Sequence, residues 1–404
     1  MALENLKDLE QYTDDLLERR RFLHQHPETS FNEFKTVEYI EGFLKSLNHV
    51  EIIKPTQTSV IGVFKSKQAG SRIGLRADMD ALPIQEELTN LDFCSMNDGV
   101  MHACGHDGHT AMLMTACQWL DDHFDTLEGE IYCIFQHAEE LPPGGASQIM
   151  ATGVLDDLDF IYGQHVLPEI EVGTVDIKTG PVTTNSDGYK VTLYGLGGHA
   201  STPSKAINPI NLASKLIQAF NEIPSQHIDA QQSAVVSNTY IKAGNSISLN
   251  IIPDTLEFGG NIRSFDADVP KRIEESMEQI LEGICGAYGV GYKFNYEVGA
   301  RSVYNDDVKT TLLQEIVGNS LDVNVIERKP DMFGEDFSVY SQVIPATFAM
   351  IGSHNHTKET QYPLHHPKFN IDEGVLIVGL KMLLTVAIEY NKKITNMKLE
   401  GELV

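Results

Sequence analysis

The chain has 404 residues, 42% of them hydrophobic, which is long and apolar enough for two domains that each bury a core. Its 57 acidic and 30 basic residues give a formal net charge of −27, which argues against nucleic acid or an anionic membrane as a partner. Five cysteines without disulfide-like spacing predict free thiols in a reducing compartment. The charged N-terminus and the lack of an apolar run of ~20 residues predict a cytoplasmic protein without a membrane span.

The first elements are predicted to be two helices, over 5–24 and Asn32–Leu47, because apolar residues recur at helical spacing. Pro27 ends the first helix. His24 and His26 lie at that helix end, where a histidine is either a polar cap or a metal ligand.

Two buried strands are predicted next, at Val60–Phe64 and Arg72–Leu75. Asp78 and Asp80 follow the second one, and two residues spaced by two in an extended chain point the same way. Since ligands collect beyond the carboxyl ends of strands in open α/β sheets, the pair is a candidate for function. A plain acidic turn is the alternative.

The richest stretch is 101–110, Met-His-Ala-Cys-Gly-His-Asp-Gly-His-Thr. It contains five residues that are metal ligands or partners of ligands: His102, Cys104, His106, Asp107 and His109. Two glycines allow tight folding, and an apolar run at helical spacing follows, so the stretch is predicted to be a loop that opens into a helix. The alternative is a polar helix cap with scattered surface histidines.

Two more strands deliver candidate ligands at their ends. The predicted strand Glu130–Gln136 is followed by the pair Glu139-Glu140, and two close carboxylates shift each other's pKa unless a cation or proton intervenes. The predicted strand Phe160–Val166 carries His165 near its end, where a buried core histidine is the alternative.

The composition changes near Gly180-Pro181, and an inserted α+β domain is predicted over 184–298. Its candidates for chemistry are His199, Asn250 and Arg263, although Arg263 could equally form a salt bridge on its strand. Its predicted strands and helices are the strands Tyr189–Tyr194, Ala234–Lys242, Ser248–Ile252, Thr255–Arg263 and Tyr292–Val298, and the helices Asn208–Asn221 and Pro270–Gly286.

The chain then returns to the first domain, which we assign to 1–183 and 299–404. Helices are predicted at Asp307–Ser320 and Asp372–Tyr390, and a strand at Ala346–Gly352. Between them the acids of the stretch 333–338 are expected to cap a helix. Four histidines follow the strand: His354, His356, His365 and His366.

A thiolate, imidazoles and carboxylates together favour a transition metal such as Zn²⁺, Mn²⁺ or Co²⁺ over Ca²⁺ or Mg²⁺. Five candidate ligands exceed what one catalytic ion with an open position takes, so two ions are expected. Adjacent glutamates suggest one ligand and one general base.

These residues resemble the amidohydrolase branch of the aminoacylase and carboxypeptidase superfamily of metallopeptidases, which includes N-acyl-amino-acid amidohydrolases, hippurate hydrolases and auxin-conjugate hydrolases. The resemblance runs in matching order from Arg20 to the last helix. The motifs that carry it are Arg76–Pro83, His102–His109, Glu139-Glu140, Gly163–His165, Gly198–Ala200 and Leu364–Pro367.

The resemblance implies a role for each matched position. The metal ligands would be Cys104, His106, Glu140, His165 and His365, with His366 as the alternative to the last. Glu139 would be the general base, Asp80 would orient a ligand, and His199 would hold the substrate carbonyl. Apart from the resemblance, we expect Asn250 or Arg263 of the insert to hold the carboxylate of the amino acid.

The fold that the resemblance implies is α/β, a zinc-exopeptidase-like three-layer catalytic domain with an inserted ferredoxin-like domain that pairs between subunits. We therefore expect a homodimer or homotetramer that uses two divalent ions, Mn or Zn and possibly Co or Ni, to cleave the amide bond of N-acylated amino acids. The alternatives are an exopeptidase acting on short peptides and a metal-binding relative without activity. A thiol redox enzyme based on Cys104 is disfavoured because no Cys-x-x-Cys partner is present.

Overall fold

The computed structural model describes residues 6–88, 91–358 and 360–401. Its strands, in chain order, are β1 (Val50–Ile53), β2 (Val60–Lys65), β3 (Arg72–Asp78), β4 (Glu130–Gln136), β5 (Phe160–Glu171), β6 (Thr174–Asp176), β7 (Gly180–Pro181), β8 (Asn185–Tyr194), β9 (Gly198–His199), β10 (Ala234–Ala243), β11 (Ile251–Ile252), β12 (Thr255–Ser264), β13 (Gly291–Glu297), β14 (Tyr304–Asn305), β15 (Asn324–Ile326) and β16 (Ala346–His354). Its helices are α1 (Thr13–Gln25), α2 (Phe34–Leu44), α3 (His106–Asp122), α4 (Gly145–Met150), α5 (Pro209–Gln226), α6 (Val269–Tyr288), α7 (Asp307–Ser320), α8 (Ser338–Ser341), α9 (Gly374–Thr385) and α10 (Asn391–Leu399). Short 3₁₀ turns cover Leu6–Tyr12, Phe124–Thr126 and Pro203–Lys205, and a π-helical turn, Val386–Tyr390, joins α9 to α10.

The chain divides into two compact units. The first comprises the chain up to 182, the segment 303–329 and the chain from 336 on, and the second comprises 183–302 and 330–335. The insert is therefore somewhat longer than the predicted 184–298. Loop contacts explain the difference, since Ser302 Oγ donates to the Thr183 carbonyl at 2.7 Å and Ser186 N donates to the Ala300 carbonyl at 2.8 Å. Such contacts leave no periodic pattern in a sequence.

The first unit is built on a mixed eight-stranded sheet in the order β1-β2-β4-β3-β5-β16-β6-β15. Its central strands β4, β3, β5 and β16 run parallel, and nearly all their residues are buried. Because side chains alternate between the two faces of a strand, continuous burial means that both faces are covered, as in a three-layer α/β domain. Parallel strands also bring their carboxyl ends to one edge, where ligands collect.

The last helical segment, Gly374–Leu399, is long and apolar enough to cross a membrane by length and composition alone, with a mean hydropathy of 1.5 in its most apolar window. The expectation that no run reaches this length was therefore wrong. However, 72% of that window is buried inside the protein, where α9 packs against α3 and β16. The apolar composition is thus explained by packing in the core of the first unit.

The second unit has its own hydrophobic core between a four-stranded antiparallel sheet and the helices α5 and α6. The sheet order is β13-β8-β12-β10, and the chain order β8-α5-β10-β12-α6-β13 makes the insert ferredoxin-like, as predicted. The predicted strand Ser248–Ile252 was wrong, because only Ile251–Ile252 is extended and it pairs with β9 outside this sheet. Asn245 turns the preceding backbone by accepting the Ile247 N–H at 2.9 Å, which breaks the strand.

Candidate metal centre

The candidate ligands are delivered by loops that leave the carboxyl edge of the first unit's sheet. β3 ends at Asp78 and leads to Asp80, and β4 ends at Gln136 and leads to the pair Glu139-Glu140. His165 lies on β5, and Cys104 and His106 lie where the loop before α3 becomes helix. The sheet therefore brings together residues that are far apart in the chain, such as Cys104 and His165, which are separated by 61 positions.

Gly105 fixes the approach of this loop to β5. Its φ of +90° is unfavourable for residues with a side chain, and a Cβ at this position would lie 2.4 Å from Cγ2 of Val166. Only glycine therefore lets Cys104 and His106 pack so close to His165, the neighbour of Val166.

The first group of candidate ligand atoms is fully buried and comes from Cys104, His106 and His165, within 4.8 Å of one another. The Cys104 Sγ atom lies 3.3 Å from Nε2 of His165. A thiol and two imidazoles at this spacing form a donor set typical of transition-metal ions.

A second group of three shares the same thiol and comprises Cys104, Glu140 and His365. Nε2 of His365 lies 3.0 Å from Oε1 of Glu140, and the His365 backbone N–H donates to the Ala103 carbonyl at 2.8 Å. The neighbouring His366 has other contacts, because its ring stacks on Tyr362 at a centroid distance of 4.6 Å. The structure therefore brings His365, rather than His366, to the cluster.

Two of the histidines are oriented so that Nε2 faces the cluster. Nδ1 of His106 lies 2.9 Å from the Asp80 carbonyl oxygen and 3.2 Å from Oδ1 of Asp80, and Nδ1 of His165 donates to the Val166 carbonyl at 2.7 Å. The buried Nε2 of His106 has no hydrogen-bond partner among the described residues. A buried nitrogen without a partner is costly unless it binds a cation, so the residues present fit a metal ion.

Burial and charge act on these groups as expected for a site built for a cation. Burial raises the pKa of the Cys104 thiol, and the carboxylates of Glu140 and Glu139 raise it further. Burial lowers the pKa of His165 well below its usual value. Burial also disfavours the charged form of His106, but Asp78 and the hydrogen bond to Asp80 outweigh it and raise the pKa of His106 to about 10. A divalent cation would favour the deprotonated form of all three.

Glu139 lies at the rim of this cluster. Its carboxylate comes within 4.8 Å of ligand atoms of His106 and Glu140, and its Oε1 accepts the backbone N–H of Asp336 at 3.4 Å. It is therefore close enough to exchange a proton with a molecule bound beside the ligands.

Three residues other than glycine have a positive φ in the described chain, and all belong to this region: Phe31 (+64°), Ala138 (+47°) and His365 (+66°). A left-handed conformation of such a residue costs on the order of 1–3 kcal/mol and persists only where the surroundings enforce it. Ala138 directly precedes Glu139, and His365 is itself a candidate ligand. The backbone is thus strained where these side chains are placed, which is common at functional sites.

The sequence patterns did not reveal how Asp78 and His109 are used. Both nitrogens of His109 have partners, because Nδ1 lies 2.6 Å from Oδ1 of Asp78 and Nε2 accepts the Val166 N–H at 3.0 Å. Asp78 in turn accepts from Arg76 at 2.6 Å. His109 therefore supports the backbone beside His165, and the only signal in the sequence was its position three residues after His106 on one helix face.

Other predicted candidates lie outside the ligand cluster. His24 is neither a cap nor a ligand there: it is buried, with Nδ1 2.8 Å from Asp107 and Nε2 3.2 Å from Glu86. The carboxylate of Asp336, expected to cap the next helix, accepts from Arg76 at 2.9 Å and from Gln136 at 2.8 Å, and it also accepts the Ala146 N–H at 3.1 Å in the first turn of the earlier helix α4.

In the second unit, His199 is exposed on β9, and its Nδ1 accepts the Ser201 N–H at 3.2 Å. Asn250 is exposed next to it, since its carbonyl accepts the Ala200 N–H at 2.9 Å. Arg263 is half-buried on β12, where it donates to the Asn261 side chain and to the Ile262 carbonyl. It forms no salt bridge with any described residue, so the alternative of a strand salt bridge is not what the structure has.

Known proteins with related sequences and folds were compared with the chain. A profile of peptidase family M20/M25/M40 matches residues 74–389. An N-acetylcysteine deacetylase of Bacillus subtilis (strain 168) is 37% identical over 375 residues, 92% of this chain and 96% of its own length. An N-acyl-L-amino acid amidohydrolase of Geobacillus stearothermophilus is 40% identical over 308 residues, 76% of this chain and 82% of its own length.

Among solved structures, the Bacillus subtilis YXEP protein, described as a dinuclear metal binding peptidase from the M20 family, superposes with a TM-score of 0.81. It is 33% identical in sequence, and the match covers 95% of this chain and 99% of that one.

Proposed function

This chain belongs to the peptidase family M20/M25/M40, and we propose that within it the chain is a dinuclear metal-dependent amidohydrolase of N-acylated amino acids. The observation that carries the proposal is the arrangement around Cys104, whose sulfur belongs to two groups of three candidate ligands, with Glu139 at their rim. A shared thiolate between two such groups suits a pair of ions.

The proposed ligands are Cys104, His106 and His165 for one ion and Cys104, Glu140 and His365 for the other. A thiolate with imidazoles and a carboxylate suits Mn²⁺ or Zn²⁺, with Co²⁺ or Ni²⁺ as the alternatives. When bound, such ions polarise a carbonyl oxygen and lower the pKa of water, which makes amide hydrolysis feasible at neutral pH. Asp80 would keep the ring of His106 oriented through Nδ1.

Glu139 is the proposed general base. In hydrolysis of an amide, a base must remove a proton from the attacking water, and an acid must deliver one to the leaving nitrogen. A single carboxyl group beside the ligands can do both in succession, because the proton that it accepts is the one it later donates. The non-catalytic alternative is disfavoured by the presence of this group.

The function is tested by loading the purified protein with Mn²⁺ or Zn²⁺ and measuring hydrolysis of a panel of substrates. The panel contains N-acetyl and N-benzoyl amino acids, including N-acetylcysteine, together with dipeptides. We expect the N-acyl amino acids to be cleaved with a higher kcat/KM than any dipeptide. Faster cleavage of dipeptides would instead support an exopeptidase, and the absence of any turnover would support a non-catalytic relative.

We further propose that His199 donates a hydrogen bond to the substrate carbonyl. Nδ1 of His199 lies 2.7 Å from the Ser201 hydroxyl and 3.2 Å from the Ser201 backbone nitrogen. When Nδ1 accepts from both, the proton of the neutral ring is on Nε2 and can be donated to a carbonyl. His199→Ala should lower kcat by ~10²–10³-fold, the effect typical of losing one oxyanion donor. His227→Ala, in the same unit, is the control that should keep the kcat of wild type. A His199→Ala variant with unchanged kcat would exclude the role. We also propose that Asn250 or Arg263 holds the carboxylate of the amino acid, because an amide or a guanidinium group can donate hydrogen bonds to it.

We propose that the chain assembles as a homodimer or homotetramer through the insert. Strand β10 lies at the edge of its sheet and exposes Tyr240 and Ile241, an edge suited to pairing with another copy. Light scattering should therefore give two or four times the chain mass of 44.8 kDa, and Ile241→Lys should shift the assembly toward monomer. A wild type that is monomeric and fully active would contradict this proposal.

We also propose that the protein works in a reducing compartment such as the cytoplasm. The support is that all five cysteines are free thiols, four of them buried.

A further inference from the structure

We propose that Glu33 is a positioning residue for the reaction, because its carboxyl group holds the strained turn that places Glu139. This inference rests on the proposed function, since it assigns Glu33 a role through the general base named above.

The turn in question is Ala138, which is fully buried with a φ of +47°. Both its N–H and its carbonyl group form hydrogen bonds, and neither bond belongs to a sheet. Its N–H donates to Oε1 of Glu33 at 2.7 Å, and its carbonyl accepts the Gly145 N–H at 3.0 Å. Because the left-handed conformation of alanine is unfavourable, the turn depends on such contacts to persist.

Glu33 comes from a distant part of the chain, 105 residues before Ala138. It occupies the position before the first turn of α2, where a carboxylate commonly caps the helix, but its side chain makes no such capping bond. Glu28 accepts a free N–H of the first turn of α2 instead. Its Oε2 accepts from the Thr36 N–H at 2.8 Å and from the Thr36 hydroxyl at 3.0 Å. The Glu33 carboxyl group is therefore free for the turn at Ala138.

The segment 30–33 also helps to hold the backbone after Glu139, at Glu140. Ser30 Oγ donates to Oδ2 of Asp80 at 2.6 Å, and this oxygen also accepts the Glu140 N–H at 3.0 Å. The residues before and after Glu139 are thus both held by groups that the segment 30–33 provides or orients. Such a double contact fixes the direction of the Glu139 side chain more tightly than either contact alone.

The buried carboxyl group is largely protonated at neutral pH. Burial raises the pKa of Glu33 to about 8, with a further contribution from Asp80 and in spite of the hydrogen bond from Ala138. A neutral carboxyl accepts the Ala138 N–H through one oxygen, which the amide oxygen of glutamine can also do. Glutamine should therefore replace Glu33, whereas a shorter side chain should not.

The test compares Glu33→Ala, Glu33→Asp and Glu33→Gln with wild type, and it uses Glu28→Gln as the matched control in the same segment. With an N-acyl amino acid that wild type cleaves, we expect Glu33→Ala to lower kcat by ~10–100-fold, the effect of misplacing a catalytic group by about 1 Å. KM should stay within about threefold and the metal content should be that of wild type, because ligand binding is not removed. Glu33→Gln should keep kcat within about threefold of wild type, and Glu28→Gln should keep the kcat of wild type, because its amide oxygen can still accept from Thr36.

Hydrogen exchange read by mass spectrometry gives a second readout that needs no turnover. The peptide that contains Ala138 should exchange faster in Glu33→Ala and Glu33→Asp than in wild type, and at the wild-type rate in Glu33→Gln and Glu28→Gln. If Glu33→Ala fails to fold, the same results are expected of Glu33→Asp. Its side chain is one methylene shorter, so its carboxyl group cannot reach the Ala138 N–H. Wild-type kcat in a folded Glu33→Asp variant, or unchanged exchange at Ala138, would overturn the inference. A wild type that hydrolyses no substrate while Ala138 responds as expected would instead refute only the proposed function.

Discussion

Replacing Glu139 by glutamine is expected to leave the metal content and the KM close to those of wild type and to lower kcat by ~10³-fold or more. Glutamine keeps the shape of the side chain and can still accept the Asp336 N–H, but it has no basic oxygen. Since general acid–base catalysis contributes ~10²–10⁴-fold, and Glu139 is proposed for both the removal and the delivery of the proton, the loss should lie at the upper part of this range.

The location of Glu139 supports an effect confined to kcat. It is not a member of either group of three candidate ligands that share Cys104, so its replacement leaves both of those groups intact. Metal analysis of Glu139→Gln, together with the kcat and KM for one N-acyl amino acid, measures the two effects separately.

A matched control lies on β4, the strand that leads to Glu139. Glu130 is the first residue of β4, at the opposite end from Glu139, and contacts Arg72 and Tyr132 away from the ligand cluster. Glu130→Gln should keep the kcat of wild type. If Glu139→Gln retains its metals and turns over within about tenfold of wild type, another group is the base and the mechanism proposed here is wrong.

The fold could be predicted largely because its strands and helices are periodic. Alternating or continuous apolar residues predicted β2, β3, β4, β5 and β16, and the order of elements in the insert predicted an α+β domain, which the resemblance specified as ferredoxin-like. The short strands β1, β6 and β15 were missed, because three or four half-buried residues carry too little pattern.

The candidate ligands could be predicted for two reasons. Histidine, cysteine and acidic residues seldom cluster in a sequence unless they bind a metal ion, and the carboxyl ends of parallel strands meet at one edge of the sheet. The supporting contacts could not be found in this way. Glu33 is an acidic residue near the start of the predicted helix Asn32–Leu47. Its contact with Ala138 joins residues 105 positions apart, which no local sequence pattern indicates. Likewise, the resemblance favoured His365 over His366, but no local pattern indicated that the backbone of His365 would have a φ of +66°. Long-range contacts and strained dihedrals arise only when the whole unit is packed.

The second large effect is expected from Cys104→Ala, which should lose most of its bound metal and all measurable turnover. Cys104 is the one residue common to both groups of three candidate ligands, so its removal leaves each group with two. Cys104 is also buried, and its Sγ atom lies 3.3 Å from Nε2 of His165, so its removal leaves a gap beside this candidate ligand. Elemental analysis after dialysis measures the metal content, and the N-acyl amino acid assay measures the turnover.

Cys285→Ala is the control for this experiment. Cys285 is equally a buried free thiol, but it lies on α6 in the core of the second unit and has no metal-ligand neighbours in the described groups. Its replacement should cost some stability through lost packing while the metal content and kcat stay at the level of wild type. A Cys104→Ala variant with the full metal content would show that the sulfur is not a ligand. The pair of ions would then have to be held by imidazoles and carboxylates alone, a donor set that no longer depends on the shared thiolate.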